Sequence, residues 1–149
     1  MTGNFNIRVY GIMLNRRSQV LVTDEIRFGK KIIKFPGGGL KFGEGVLDCL
    51  QREWQEECNQ PIEISRHLYT TEFFQASAFD ESQQIISIYY YVFSTHPLGI
   101  TVSEKQFDFN EDSEVQQSFR WVSIDAELID QITFPIDKKV SELLIEETK

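Results

Sequence analysis

The sequence predicts a mixed α+β fold with a mixed β-sheet held between helices, and three observations carry that expectation. Apolar residues make up 41 % of the 149 positions and aromatics 13 %, enough to bury one continuous core and too much for a disordered chain. Period-two alternation marks several short runs, whereas apolar residues recur at helical spacing in two longer ones. The runs follow the order strands, helix, strands, helix, as expected of a layered mixed protein. No repeat, low-complexity tract or linker divides the chain, so residues 1–149 are expected to form a single domain.

Residues 5–14 read as a first strand, with Phe5, Ile7 and Val9 alternating against Asn6 and Arg8 before an apolar end. Asn15-Arg16-Arg17-Ser18 is turn-like, and residues 19–23 return as a second strand, which makes a hairpin. Residues 31–35 form a short strand running into Pro36-Gly37-Gly38-Gly39. That stretch is expected to be a loop, because three successive glycines do not cheaply continue as regular structure. The first helix covers residues 44–58: Val46, Leu47, Leu50 and Trp54 share an apolar stripe, and Glu53, Glu56 and Glu57 lie on another side. Asn59 suits a left-handed helix end and Pro61 blocks continuation.

Residues 62–74 and 84–94 read as two long strands. The second, through Ile86, Ile88, Tyr90 and Val92, is apolar on nearly both faces. It belongs in the centre of a sheet, or else its run 85–93 supports a homodimer. Residues 96–117 are polar and acidic, the expected long functional loop. Residues 119–122 form a short strand and residues 136–147 close the chain as an amphipathic helix.

The formal net charge is -8. That argues against a general nucleic-acid surface, which needs clustered Lys and Arg. An acidic chain can still bind a phosphorylated small molecule where metal ions bridge the like charges. No stretch is long and apolar enough to span a bilayer, and residues 1–11 lack the pattern of a signal peptide. Cys49 and Cys58 fall on different faces of one helix, without zinc-ligand company, so both are expected as small buried hydrophobes in a reducing, cytoplasmic setting.

The chemistry concentrates between Gly38 and Gln60. Glu53, Glu56 and Glu57 sit at i, i+3 and i+4, so their carboxylates converge on one stripe. Arg52 alone cannot neutralise three acids. A solvated acidic face is the plain explanation, but a hard divalent cation such as Mg²⁺ wants several carboxylate oxygens and keeps waters and phosphates as its remaining ligands. A glycine-rich stretch ahead of three glutamates suits that demand.

These residues resemble the Nudix signature, G-x5-E-x7-R-E-U-x-E-E-x-G-U with U a bulky apolar residue. Gly38, Glu44, Arg52, Glu53, Trp54, Glu56 and Glu57 fall in register without a gap, while Asn59 replaces the second glycine and Gln60 the terminal apolar residue. Asn tolerates the left-handed conformation, so the first change is mild; Gln60 is expected to loosen packing behind the helix. The resemblance implies an α/β/α sandwich. It makes Glu53, Glu56 and Glu57 metal ligands, joined by the Gly38 carbonyl, for Mg²⁺ or alternatively Mn²⁺. Arg52 would orient the glutamates, with Glu44 as its brace. The implied reaction is attack of water on a phosphorus of a nucleoside diphosphate derivative. The general base would be Glu56 or Glu57 on the helix or, on the acidic loop with Asp108, Glu111 and Asp112, Glu114.

Other residues have plainer readings. His67 and His96 are expected to be structural or exposed. Phe73, Phe74 and Phe79 would pack in the core rather than stack on a base. Phe134-Pro135 would shape the start of the last helix, and Arg66, Arg120, Lys138 and Lys139 would be solvated rather than bound to phosphate. Two rival functions fit the residues less well. A nucleotide-sensing domain without turnover would lose signature residues that this chain keeps, and 149 residues are expected to leave no room for a DNA-binding module. An RNA-processing enzyme would need a basic stripe that is missing. ADP-ribose, a nucleotide sugar, a dinucleoside polyphosphate or a damaged nucleoside triphosphate all suit the signature, with a slight lean to the nucleotide sugar.

Overall fold

The computed structural model describes residues 3–149; Met1 and Thr2, where the amino-terminal reading began, lie outside the described residues. Seven strands and three helices follow in the order β1 (Asn4–Met13), β2 (Gln19–Arg27), β3 (Lys30–Lys34), β4 (Gly37–Gly39), α1 (Val46–Cys58), β5 (Glu63–Thr70), β6 (Gln83–Phe93), β7 (Gln117–Ser123), α2 (Ala126–Gln131) and α3 (Pro135–Glu147). The expected class holds. The strands, however, make two sheets rather than one, and the chain divides into two compact units.

The first unit takes Met1–Ile12 and Gly37–Leu98. Its sheet has the order β4-β1-β6-β5. β6 therefore lies inside the sheet, as its apolar character predicts, and that character needs no dimer to explain it. β5 ends at Thr70, four residues before the expected strand end, and its pairing with β6 shifts register on either side of His67. Phe73, Phe74 and Phe79 lie beyond it and are 42 %, 72 % and 38 % exposed, so the core placement expected for them is wrong. With the strand ended, no alternation turns them inward.

The glycine stretch is also not a loop. Gly37–Gly39 form β4, antiparallel to β1, with Gly38 opposite Val9 and Gly39 opposite Arg8. A three-residue strand at a sheet edge costs little order, and here close approach requires glycine. Gly37 has φ 154°, and a Cβ there would strike the carbonyl of Val9 and the backbone of Tyr10.

Helix α1 buries Cys49, Leu50, Trp54 and Cys58, while Leu47 stays 47 % exposed. The two cysteines replace part of the predicted stripe as small apolar residues, and neither is in a disulfide. Gly11 on β1 lets the helix come close, since a Cβ there would lie 2.6 Å from Trp54 Nε1. Asn59 ends α1 with φ 47° and ψ 39°, and its N–H donates to the Gln55 carbonyl. Gln60 does not loosen the packing. It is 1 % exposed, and its amide donates to Ser94 Oγ at 2.8 Å and to the Pro61 carbonyl at 3.2 Å. A buried amide with two acceptors substitutes well for an apolar residue.

The second unit takes Met13–Pro36 and Gly99–Lys149. Its sheet is antiparallel, with β2 between β3 and β7. Arg120 on β7 is neither solvated nor open to phosphate. It is 6 % exposed and forks onto the fully buried Asp24 of β2, with Nε–Oδ2 at 2.5 Å and Nη2–Oδ1 at 2.8 Å. Asp24 Oδ2 also accepts the Phe107 N–H at 3.1 Å, which ties down the irregular segment before β7. Helix α2 escaped the sequence reading because six residues show no period. Its one signal is Asp125, whose carboxylate caps the Glu127 N–H at 2.9 Å. α3 buries Ile136, Val140 and Leu144, one side of a helix. Among the described residues no helix is long and apolar enough to cross a membrane.

Candidate active site

The carboxylate helix and the glycine strand meet within the first unit. Arg52, near the middle of α1, uses its whole guanidinium. Nε and Nη2 fork onto Glu44 at 3.0 and 2.7 Å, Nη1 reaches Glu53 at 3.0 Å and Glu56 at 3.1 Å, and Nη2 also donates to the Gly39 carbonyl at 3.0 Å. One cation thereby holds three carboxylates and the β4 backbone in a single arrangement. The brace expected between Glu44 and Arg52 is present. Glu44 in turn accepts the Lys41 N–H at 2.8 Å, so the turn ahead of the helix is tied to the same network.

β4 supplies space rather than side chains. A Cβ on Gly38 would lie 2.6 Å from Glu53 Oε1 and closer still to the rest of that carboxylate. The Gly37 N–H donates to Glu57 Oε2 at 3.3 Å. Glu53 and Glu57 are therefore seated under the strand, whereas the Glu56 side chain is 56 % exposed.

The electrostatics follow this wiring. Hydrogen bonds from Arg52 and then from the Lys41 backbone pull the Glu44 carboxyl from 4.5 down to about 2. The Arg52 guanidinium is pushed up by its bond to Glu44 and by Glu53, against burial. Burial, and then Glu44, push the Cys49 thiol up to about 12, which makes it an inert spacer beside Gly39 rather than a nucleophile.

Among the described residues, no three His, Cys, Asp or Glu side chains already stand close enough to hold a metal ion. The donor set nevertheless suits a hard cation: three carboxylates within about one turn, beneath a backbone cradle that a Cβ at Gly38 would fill. Glu56, exposed and bound to Arg52 Nη1 at 3.1 Å, would have to exchange that bond to join Glu53 and Glu57 on a cation. Glu114 stands exposed on the segment leading into β7, in the second unit. His67 and His96 are exposed, as expected, and His67 Nε2 bonds to Thr70 Oγ1 at 2.8 Å. Arg66 is exposed and lies 4.4 Å over the Tyr91 ring, while Lys138 Nζ donates to the Ile129 carbonyl at 2.6 Å. Sequence reading missed Arg8 on β1, which feels both Glu53 and Glu57. Its only sequence signal was a basic residue at a polar position of a strand.

Fold and site together define an α+β protein built around a carboxylate-bearing helix. The NUDIX domain family matches residues 4–144. Solved structures with the same fold include the ORF135 protein of E. coli, with 16 % identity over 98 % of this chain and 92 % of that one, at a TM-score of 0.73. Similar too are a MutT protein from Methanosarcina mazei Go1, 18 % identical over 100 % and 99 % with a TM-score of 0.68, and a NUDIX hydrolase from Nitrosomonas europaea, 18 % identical over 97 % and 90 % with a TM-score of 0.64. No curated protein matches the chain. The chain belongs to the Nudix family and is a hydrolase of its pyrophosphohydrolase type, which acts on nucleoside diphosphate derivatives and generally needs a divalent metal.

Proposed function

We propose that this protein cleaves the diphosphate bond of a nucleoside diphosphate joined to a second moiety, by attack of water on one phosphorus. The observation that carries the reading is the Arg52 fork, which holds Glu44, Glu53, Glu56 and the Gly39 carbonyl at once. An arginine with so many partners keeps carboxylates in one geometry, and such positioning is worth orders of magnitude in rate. Glu53, Glu56 and Glu57, with the Gly38 carbonyl, would hold Mg²⁺ or Mn²⁺, which when bound neutralises phosphate charge and lowers the pKa of the attacking water.

The chain's own groups do the rest. Arg52 fixes Glu53 and Glu56, and β4 presents backbone instead of side chains to the diphosphate. One carboxylate takes the proton of the water: Glu56 or Glu57 on α1, or Glu114 on the loop. The family match runs through both units, which supports residues 1–149 acting as a single domain.

The test is phosphate release from ADP-ribose, nucleotide sugars, dinucleoside polyphosphates and nucleoside triphosphates with Mg²⁺, each with and without EDTA. A coupled phosphatase or pyrophosphatase exposes the product. EDTA-sensitive release from one subset supports the reading and names the substrate class. No release with Mg²⁺ or Mn²⁺, despite intact metal binding, replaces it with nucleotide sensing. Glu56→Gln and Glu57→Gln are expected to lower turnover by about 100-fold or more with the fold intact; normal turnover in both removes the roles given to them.

A further inference from the structure

Arg52 spends every nitrogen of its guanidinium on the protein. The second arginine of this region does not. Arg8 Nε donates to the Tyr10 hydroxyl at 2.6 Å, and its guanidinium carbon lies 5.7 Å from the centre of the Tyr10 ring. Tyr10 stacks in turn on Tyr89 at 5.3 Å, and both rings are buried, so the arginine is anchored to a rigid aromatic pair. Nη1 and Nη2 have no hydrogen-bond acceptor among the described residues. Four N–H groups of a half-buried guanidinium are thus held in place without a partner.

The position of those groups is informative. Arg8 is directly opposite Gly39 in the β1–β4 ladder, so the two residues face the same side. A Cβ on Gly39 would lie 3.6 Å from Arg8 Nη1. The neighbouring pair, Val9 and Gly38, faces the other side, where Gly38 covers the Glu53 carboxylate. The guanidinium and the glutamates therefore flank a strand without side chains, at the edge of its sheet. Burial lowers the Arg8 pKa, but Tyr10 and then Glu53 and Glu57 more than reverse this, so the cation lies within the field of the same carboxylates.

We propose that Arg8 is a substrate-binding residue whose Nη groups donate to a non-bridging oxygen pair of the diphosphate lying along β4. The proposal rests on the diphosphate reading above and adds to it a cation from the chain itself, on the side of β4 opposite the glutamates. A planar fork matches two phosphate oxygens, and the Tyr10 anchor removes much of the entropy cost of aiming it. A counter-ion for the glutamates would instead turn its outer nitrogens onto Glu53 or Glu57, as Arg52 does onto Glu44.

The test is calorimetric binding of inorganic pyrophosphate and of the non-hydrolysable α,β-methylene-ADP, with Mg²⁺, to the full chain and to Arg8→Gln and Arg8→Lys. Arg8→Gln is expected to weaken both probes by about 10- to 100-fold, the loss of charge-assisted hydrogen bonds. Arg8→Lys should recover part of this, since it keeps the charge and loses the fork. In turnover, KM should rise by a similar factor with kcat within about 3-fold, because the contact exists before the transition state. Unchanged affinity in a folded Arg8→Gln overturns the proposal, as does a lower melting temperature with unchanged affinity, which marks a structural role. If Arg8→Gln fails to fold, unchanged affinity in Arg8→Lys together with unchanged KM does the same. Wild-type protein that binds neither probe overturns the diphosphate reading itself, and this proposal with it.

Discussion

Gly38→Ala tests whether the close seat of Glu53 under β4 matters for catalysis. Gly38 lies outside the left-handed backbone region, so alanine meets no strain there, and the substitution isolates one collision. The new Cβ would stand 2.6 Å from Glu53 Oε1, whereas ordinary contact begins at 3.4 Å. The nearer atoms of the carboxylate must retreat by about 1 Å, and a misplacement of that order costs about 100-fold in rate, or about 2.7 kcal/mol of transition-state stabilisation. The fold should lose much less. The displaced atoms end a flexible side chain, so the overpacking cost stays near 1 kcal/mol, a fall in melting temperature of about 2–4 °C. The assay compares kcat/KM on the best substrate with the calorimetric melt. Gly39→Ala is the comparison, because its Cβ meets no carboxylate and only Arg8 Nη1 at 3.6 Å; any effect should fall on KM, with kcat within about 3-fold of wild type. Normal kcat/KM in Gly38→Ala, or an equal loss of kcat in both variants, would refute the reasoning.

Two further expectations concern charge. Glu44 is held from 4.5 down to about 2, so it favours the folded state fully above about 4.5 and loses that effect as pH falls toward about 2. The melting-temperature gap between wild type and Glu44→Gln should be widest above pH 5 and should shrink by about pH 3; a gap constant across that range contradicts the brace. Asp24→Ala should be far more damaging, because it leaves the buried Arg120 without its counter-charge and the Phe107 N–H without its acceptor. The expected loss is about 3–5 kcal/mol, a fall of about 6–20 °C in the melting temperature. A shift under about 3 °C would show that Arg120 finds water or another partner.

Much of this molecule was legible in its residues, and what was not has physical causes. Long periodic runs identified β1, β6, α1 and α3, because burial of one face imposes a period that local sequence carries. Glu53, Glu56 and Glu57 were legible as a group because a helix brings i, i+3 and i+4 together without help from the rest of the fold, and Glu44 and Arg52 were legible through the signature they complete. β4 was hidden for the opposite reason: nothing within three glycines favours a strand, and only the β1 backbone opposite makes them one. The burial of Arg120 was hidden in the same way, since its partner Asp24 lies 96 residues away in sequence. Counting charges along the chain cannot separate a solvated arginine from one locked in a fork.

That contrast explains why the two arginines near α1 were so unequally visible. Arg52 owes most of its bonds to neighbours on its own helix and in the turn just before it, and the signature that these residues resemble implies its pairing with Glu44. Arg8 owes its position to a strand pairing across thirty-one residues and to a tyrosine stack reaching Tyr89. Its significance lies in what surrounds it: an alanine in place of Gly39 would already touch its guanidinium, and a longer side chain there would fill the space beside it. A glycine-rich strand is therefore more than a permissive turn in this protein. By carrying no side chains it allows a cation on one face and carboxylates on the other to act on a ligand at the same edge, and it makes the two faces separable by substitution at Gly38 and at Arg8.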